Sequence, residues 1–154
     1  MSQLSKKLIR LGFVALITII LFTQVFSLVV VYGKSMEPTY QDGGFTLINR
    51  LSYVFRQPAR GEIVAIKFAG RRLMLLKRII GLPGETVIIS DGQISINGTT
   101  LAEPYLISPL PWNLPARVIA AEEYFVIGDN RRQPIEEHFF GRISSQQIVG
   151  RALW

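Results

Sequence analysis

The strongest constraint on this chain is a run of 22 uncharged residues at positions 11–32, mostly Leu, Ile, Val and Phe. As a helix rising about 1.5 Å per residue it covers roughly 33 Å, enough to cross a bilayer's hydrocarbon core. Lys6, Lys7 and Arg10 precede it, and no acidic residue occurs before Glu37. A secretory signal opens in the same way, but its apolar core is about 7–15 residues long and ends at a small-residue cleavage site. This run is longer and closes on Val-Val-Val-Tyr-Gly-Lys, with no A-x-A pattern. It reads as a retained anchor; a buried core helix is the alternative, and the basic flank argues against it. Positive charge on the N-terminal side keeps that end in the cytoplasm. The expected organisation is a cytoplasmic flank over 1–10, a single transmembrane helix over 11–32 ended by Gly33, and an extracytoplasmic domain over 33–154.

The formal charge of +6 comes from 17 basic and 11 acidic residues, and its clearest cluster is the N-terminal flank. Nucleic-acid binding needs a basic stripe interleaved with aromatics on a folded surface, so no nucleic-acid partner is expected. The absence of cysteine excludes disulfides, thiolate nucleophiles and Cys-based zinc sites. His138 is the single histidine, too few for a His-rich metal set. No metal or other cofactor is expected.

Beyond Pro38 the pattern changes to short apolar runs broken by Gly and Pro. Phe45–Asn49 is a strand candidate, and 51–55 follows it as another apolar stretch. Residues 62–68 and 73–80 are stronger strands, rich in β-branched residues, and Gly81-Leu82-Pro83-Gly84 ends the second. Residues 85–89, Asp91-Gly92 and 93–96 spell strand, tight turn, strand; Asn97-Gly98 is the next hairpin signal. Residues 124–127 form another strand, ending at Gly128. Many short strands with turn chemistry between them predict a mainly β domain, a folded-over antiparallel barrel or sandwich, behind one N-terminal helix.

Two residues break the local pattern. If 73–80 is a strand, alternation puts Lys77 on one face with Leu73, Leu75 and Ile79. Either Lys77 snorkels out at a rim, or desolvation lowers its pKa and makes a neutral amine available as a base. Ser35 follows a helix-ending glycine, where a serine is ordinarily a cap or linker. As a nucleophile it needs a proton acceptor: His138, with Asp129 or Glu136 completing a triad, or Lys77, since Ser–Lys pairs obey the same logic.

Four boxes in order bear on that choice. Gly33-Lys34-Ser35-Met36-Glu37-Pro38-Thr39, Arg60-Gly61-Glu62-Ile63-Val64-Ala65-Ile66, Leu76-Lys77-Arg78-Ile79-Ile80-Gly81-Leu82-Pro83-Gly84-Glu85 and Gly128-Asp129-Asn130-Arg131 resemble those of the type I signal peptidases. Asn97-Gly98 with Glu103-Pro104-Tyr105-Leu106 is similar to a further family stretch. These are membrane-anchored Ser–Lys endopeptidases that remove signal peptides from exported pre-proteins. The resemblance implies Ser35 as nucleophile and Lys77 as general base. It also implies oxyanion or supporting roles for Gly33, Lys34, Arg78, Asp129 and Glu136, and a substrate cleft formed by Met36, Pro38, Ile63, Val64, Ala65 and Ile66. Expected partners are signal-bearing pre-proteins and the lipid bilayer, the chain itself being a monomer at the plasma membrane.

The last box departs from the family pattern. Its serine position is Pro134, and Asp-Ser-Arg becomes Glu136-Glu137-His138, with Gly141 retained. That serine hydrogen-bonds the base lysine in the family, and proline has no hydroxyl to give. Glu136 is expected to reach Arg78 instead. Gly33 stands where many relatives carry an oxyanion-hole serine, so backbone N–H groups such as that of Ser35 would carry the oxyanion. A specialised relative, such as an organelle inner-membrane peptidase or a dedicated maturation peptidase, is an alternative reading, and the altered last box leaves a catalytically silent membrane adaptor as another. Trp112 and Tyr53-Val54-Phe55 each read either as packing on the domain or as contact with the lipid interface.

Overall fold

The computed structural model of the chain describes residues 3–67 and 74–153; Phe68 and Leu73, at the ends of two predicted strands, lie outside them. The first element is a helix, α1, Gln3–Val25, none of whose residues is buried. It is the one described helix long and apolar enough to cross a membrane. The helix does not run to Tyr32 as expected: the chain changes at Phe26 into a strand, β1, Phe26–Val30. The change follows from pairing. From Phe26 onward the backbone hydrogen-bonds in antiparallel register to a second strand, β2, Phe45–Asn49, and the Arg50 N–H caps the carbonyl of Val25 at 2.9 Å. Helix and strand are both apolar here, so nothing in hydropathy marks the junction.

The next strands are β3 (Ile63–Lys67), β4 (Met74–Gly81), β5 (Thr86–Ser90), β6 (Gln93–Ile96) and β7 (Thr99–Thr100). They are followed by β8 (Leu114–Val118), β9 (Glu123–Ile127), β10 (Gly141–Ser144) and β11 (Ile148–Ala152). Residues 51–55 form a turn rather than a strand. Two antiparallel sheets result: a seven-stranded one in the order β1-β2-β11-β3-β4-β9-β10, and a four-stranded one in the order β7-β6-β5-β8. The β5–β6 turn has Asp91 and Gly92 at φ 49° and 76°, and the β6–β7 turn has Asn97 and Gly98 at 50° and 82°. Positive φ at both central residues matches the right-handed twist of a hairpin, so both turn signals are realised.

Strand β4 organises the interior. Leu76 belongs to one apolar cluster with Met36, Ile48 and Ala65. Ile79 joins another with Val64, Tyr124 and Val126, and Ile80 a third, beneath the small sheet, with Val87, Trp112 and Phe125. Being covered on both faces, β4 shows no simple alternation of buried and exposed positions. Lys77 does not snorkel: it is 1% exposed. Trp112 is also interior; its indole N–H donates to the Gln133 carbonyl at 2.9 Å, which places it away from any lipid surface.

Candidate active site

Ser35 stands on a loop that leaves the β1–β2 hairpin and returns to it. Val31 N–H bonds the Gly44 carbonyl at 2.8 Å, and Gly43 N–H bonds the Val31 carbonyl at 2.9 Å, closing the neck. Gly33 lies at φ +88°, the left-handed region that costs glycine little, and its N–H is held by Asp42 Oδ1 at 2.8 Å. The loop's far side is tied to the segment after β9. Asn130 N–H bonds the Ser35 carbonyl at 3.1 Å, and Asn130 Nδ2 bonds the Lys34 carbonyl at 3.0 Å.

Asp129 makes a second tie. Its carboxylate is fully buried and takes a bidentate pair from Arg78, Nε to Oδ1 at 2.8 Å and Nη2 to Oδ2 at 2.5 Å. The same Oδ2 accepts from Thr39 Oγ1 at 2.5 Å. One carboxylate therefore fastens the serine loop to β4 next to Lys77. Arg78 also donates to the Gly61 carbonyl at 2.7 Å and stacks over Tyr105, 3.9 Å from the ring centroid. Glu136, in contrast, is exposed on a short 3-10 turn. Arg78 is paired with Asp129, so Glu136 does not take the supporting role expected of it.

Lys77 approaches Ser35 across Gly128. A Cβ placed on Gly128 would collide with the Ser35 carbonyl oxygen and sit 3.3 Å from Lys77 Nζ. Only a residue without a side chain lets both groups close over that backbone. Burial lowers the Lys77 pKa to about 8, against the opposing pull of the Asp129 carboxylate. Roughly one amine in ten is therefore uncharged at pH 7, against on the order of one in a few thousand at the ordinary lysine value. His138 is the other candidate base, and its environment is different. Its ring packs edge-on against Trp112 with centroids 4.6 Å apart, and neither ring nitrogen has a hydrogen-bond partner. Burial, reinforced by Lys77 and Arg131, lowers its pKa to about 4. A triad through His138 has no hydrogen bonds to run on.

Two cavities flank the serine loop. A small one of about 90 Å³ is lined by Ser35, Met36, the stretch from Val29 to Gly33, and Met74, Leu75 and Leu76 of β4. A second, of about 220 Å³, is bounded by Glu37, Pro38, Asp129 and Asn130. The expectation that β3 lines the cleft meets a topological obstacle. Val64, Ala65 and Ile66 are fully buried, and β3 is paired on one side with β4 and on the other with β11. No edge is left there for a further strand. The open backbone belongs to β4: its pairing with β9 begins only at Arg78. Met74, Leu75 and Leu76 therefore have β3 on one side and the small cavity on the other. Ile63, at the start of β3, borders a separate open cleft with Tyr40, Gly61 and Arg78.

The description "Signal peptidase, peptidase S26" matches residues 5–154. The chain belongs to this signal peptidase family. Among the relatives of this S26 chain, signal peptidase I of Leptolyngbya laminosa is 36% identical over 129 residues, 79% of this chain and 64% of that protein. Signal peptidase I V of Bacillus subtilis is 36% identical over 134 residues, 78% of this chain and 79% of that protein. Probable signal peptidase I-2 of Synechocystis is matched over only 58% of its length, so the chain spans somewhat under two thirds of some curated relatives. A crystal structure of a signal peptidase I from Enterococcus faecalis superposes with TM-score 0.52 at 30% identity, covering 64% of this chain and 98% of that one.

Thr39, Asn130 and the Arg131–Glu103 pair at 2.6 Å are site-forming residues that sequence reasoning did not assign. Thr39 and Asn130 lie inside the recognised boxes, and that was the available signal. Glu103 and Arg131 also lie in quoted stretches, but that the two loops meet through this buried contact is not written in either stretch.

Proposed function

We propose that the chain is a membrane-bound serine endopeptidase that removes N-terminal signal peptides from exported pre-proteins, with Ser35 as nucleophile and Lys77 as general base. The observation that carries this reading is the burial of Lys77 beside the Ser35 backbone over Gly128. A charged ammonium is disfavoured there, and a neutral amine can take a proton. Lys77 Nζ accepts the Ser35 Oγ proton as Oγ attacks the scissile carbonyl carbon. The resulting oxyanion is met by backbone N–H groups of the loop, that of Ser35 among them. The ammonium returns its proton to the departing amine, leaving an acyl-enzyme. Lys77 then deprotonates a water, which releases the acid and restores Ser35.

The substrate lies extended in the gap between the Val29–Gly33 stretch and β4, adding a strand at the open edge of Met74, Leu75 and Leu76. Apolar walls and a volume of about 90 Å³, well below the roughly 300–1,000 Å³ of small-molecule pockets, favour short side chains before the cut, consistent with A-x-A selection. Helix α1 anchors the chain in the bilayer, with its basic N-terminal end cytoplasmic.

The test is cleavage of a signal-bearing peptide by the purified full chain. Ser35→Ala and Lys77→Ala each abolish turnover and leave the β-sheet circular dichroism intact. Full activity in either variant refutes the dyad.

A further inference from the structure

The segment that follows β9 carries Gly128 and Asp129, and each of these neighbours is held by an arginine. Arg78 takes the Asp129 carboxylate. Arg131 turns back on its own segment, and its Nε donates to the Gly128 carbonyl at 2.8 Å. The far end of the same guanidinium reaches Glu103, Nη2 to Oε1 at 2.6 Å, with the two side chains only 2% and 6% exposed. That Oε1 also accepts from the Tyr105 hydroxyl at 2.6 Å, and the Tyr105 ring lies under the Arg78 guanidinium. Two separate ties to the catalytic segment therefore start from one place, the stretch from Glu103 to Tyr105, which belongs to no strand.

A buried ion pair adds little net stability beyond what apolar side chains of similar volume supply, so stability is a poor reason for this one. What the pair supplies is direction. A guanidinium is a rigid planar fork. With Nη2 fixed on Glu103 and the group set over the Trp112 ring, 5.7 Å from its centroid, Nε is aimed at the Gly128 carbonyl. Over that same glycine the Ser35 backbone and Lys77 Nζ come together, leaving no room for a Cβ. Any shift of the Gly128 backbone moves the floor on which nucleophile and base are set. A misplacement of about 1 Å there costs on the order of a hundredfold in rate.

We propose that Glu103 is a positioning residue for the Ser35–Lys77 pair, acting through Arg131 on the Gly128 backbone and through Tyr105 on Arg78. The inference rests on the dyad reading above. Two charge-conserving variants of the full chain test it. In Glu103→Asp the carboxylate falls one methylene short of both donors, and in Arg131→Lys no fork remains to join Glu103 to Gly128. The electrostatic setting of Lys77 is kept, with Asp129 still favouring its charged form and His138 uncharged near neutrality. Cleavage of a signal-bearing peptide is followed across neutral and alkaline pH, alongside thermal melts. We expect kcat to fall at least about tenfold with KM within about threefold, because the substrate gap includes neither residue. The midpoint of kcat against pH rises from about 8 towards 10.5 as water reaches Lys77. A merely structural pair lowers the melting temperature alone. A folded variant with kcat within about threefold of wild type, or with an unmoved midpoint, overturns the proposal and leaves the dyad standing. Should either variant fail to fold, Tyr105→Phe takes its place, since it removes one hydroxyl and keeps the ion pair; kcat and midpoint moving the same way support the proposal, and no change overturns it. Cleavage that survives Ser35→Ala or Lys77→Ala overturns the dyad and this proposal with it.

Discussion

Gly128→Ala is the most direct probe of how the site is assembled. A Cβ at this position overlaps the Ser35 carbonyl oxygen, and that oxygen also accepts from Asn130 N–H at 3.1 Å. The contact is backbone against backbone, so relief cannot come from rotating a side chain. Either the Ser35 loop or the segment after β9 must move by several tenths of an ångström, and the added methyl also lies 3.3 Å from Lys77 Nζ. Overpacking of this kind costs about 1–3 kcal/mol of stability. A misplacement of about 1 Å at a reacting pair costs on the order of a hundredfold in rate. The assay is steady-state cleavage of a signal-bearing peptide, with thermal melting followed by circular dichroism. We expect kcat to fall by about two orders of magnitude with KM changed far less, because the substrate gap between β4 and the Val29–Gly33 stretch does not include Gly128. The melting temperature drops by several degrees but the domain stays folded. A folded Gly128→Ala chain with kcat within about threefold of wild type would refute the claim that nucleophile and base meet over this glycine.

Two further perturbations separate the candidate bases. Lys77 titrates near 8 in the folded chain and near 10.5 when unfolded, so the unfolded state binds more protons between these values. Stability therefore carries the full cost of the buried amine below pH 8, and the cost fades as pH rises towards 10.5. Lys77→Met should be more stable than wild type at pH 7 by up to about 3 kcal/mol, at about 1.4 kcal/mol per pKa unit, with the gap closing by about pH 10.5. Denaturant titrations at the two pH values check this, and a gap independent of pH contradicts it. In the wild type, kcat should rise with pH to a plateau above about 8, as the amine deprotonates. His138→Phe should keep turnover within about threefold and melt no lower than wild type, because it removes two buried nitrogens without partners and such atoms cost about 1–3 kcal/mol. A loss as deep as that of Ser35→Ala would return the base role to His138.

The parts of the fold legible in the sequence are those with local causes. Asp91-Gly92 and Asn97-Gly98 set their hairpins through backbone conformation, and the β-branched stretches gave β3, β4 and β5. The end of α1 was not legible, because Phe26 to Val31 is as apolar as the helix before it. What decides strand over helix there is a partner, β2, more than a dozen residues away in sequence. The strands β8, β10 and β11 carry Pro115, Gly141 and Gly150, and their pairings are likewise settled only at long range. Ser35 and Lys77 stood out because each is the wrong residue type for its surroundings. β3 was expected to line the cleft and is paired on both sides, because composition reports which segments are strands but not which keep a side unpaired. Arg78 was expected to meet Glu136; that its partner is Asp129, with Thr39 joining the same carboxylate, needed coordinates.

Among the described residues, Met74 to Lys77 of β4 lie ahead of the onset of pairing with β9, and the approach to Ser35 walls the gap on the opposite side. A peptide bound there as proposed above has one open edge to pair with, and reaches it only after surrendering its own internal backbone bonds. A segment arriving coiled would have to unwind before any bond in it came within reach, so local helix stability in the incoming chain becomes a gate on which bonds are cut.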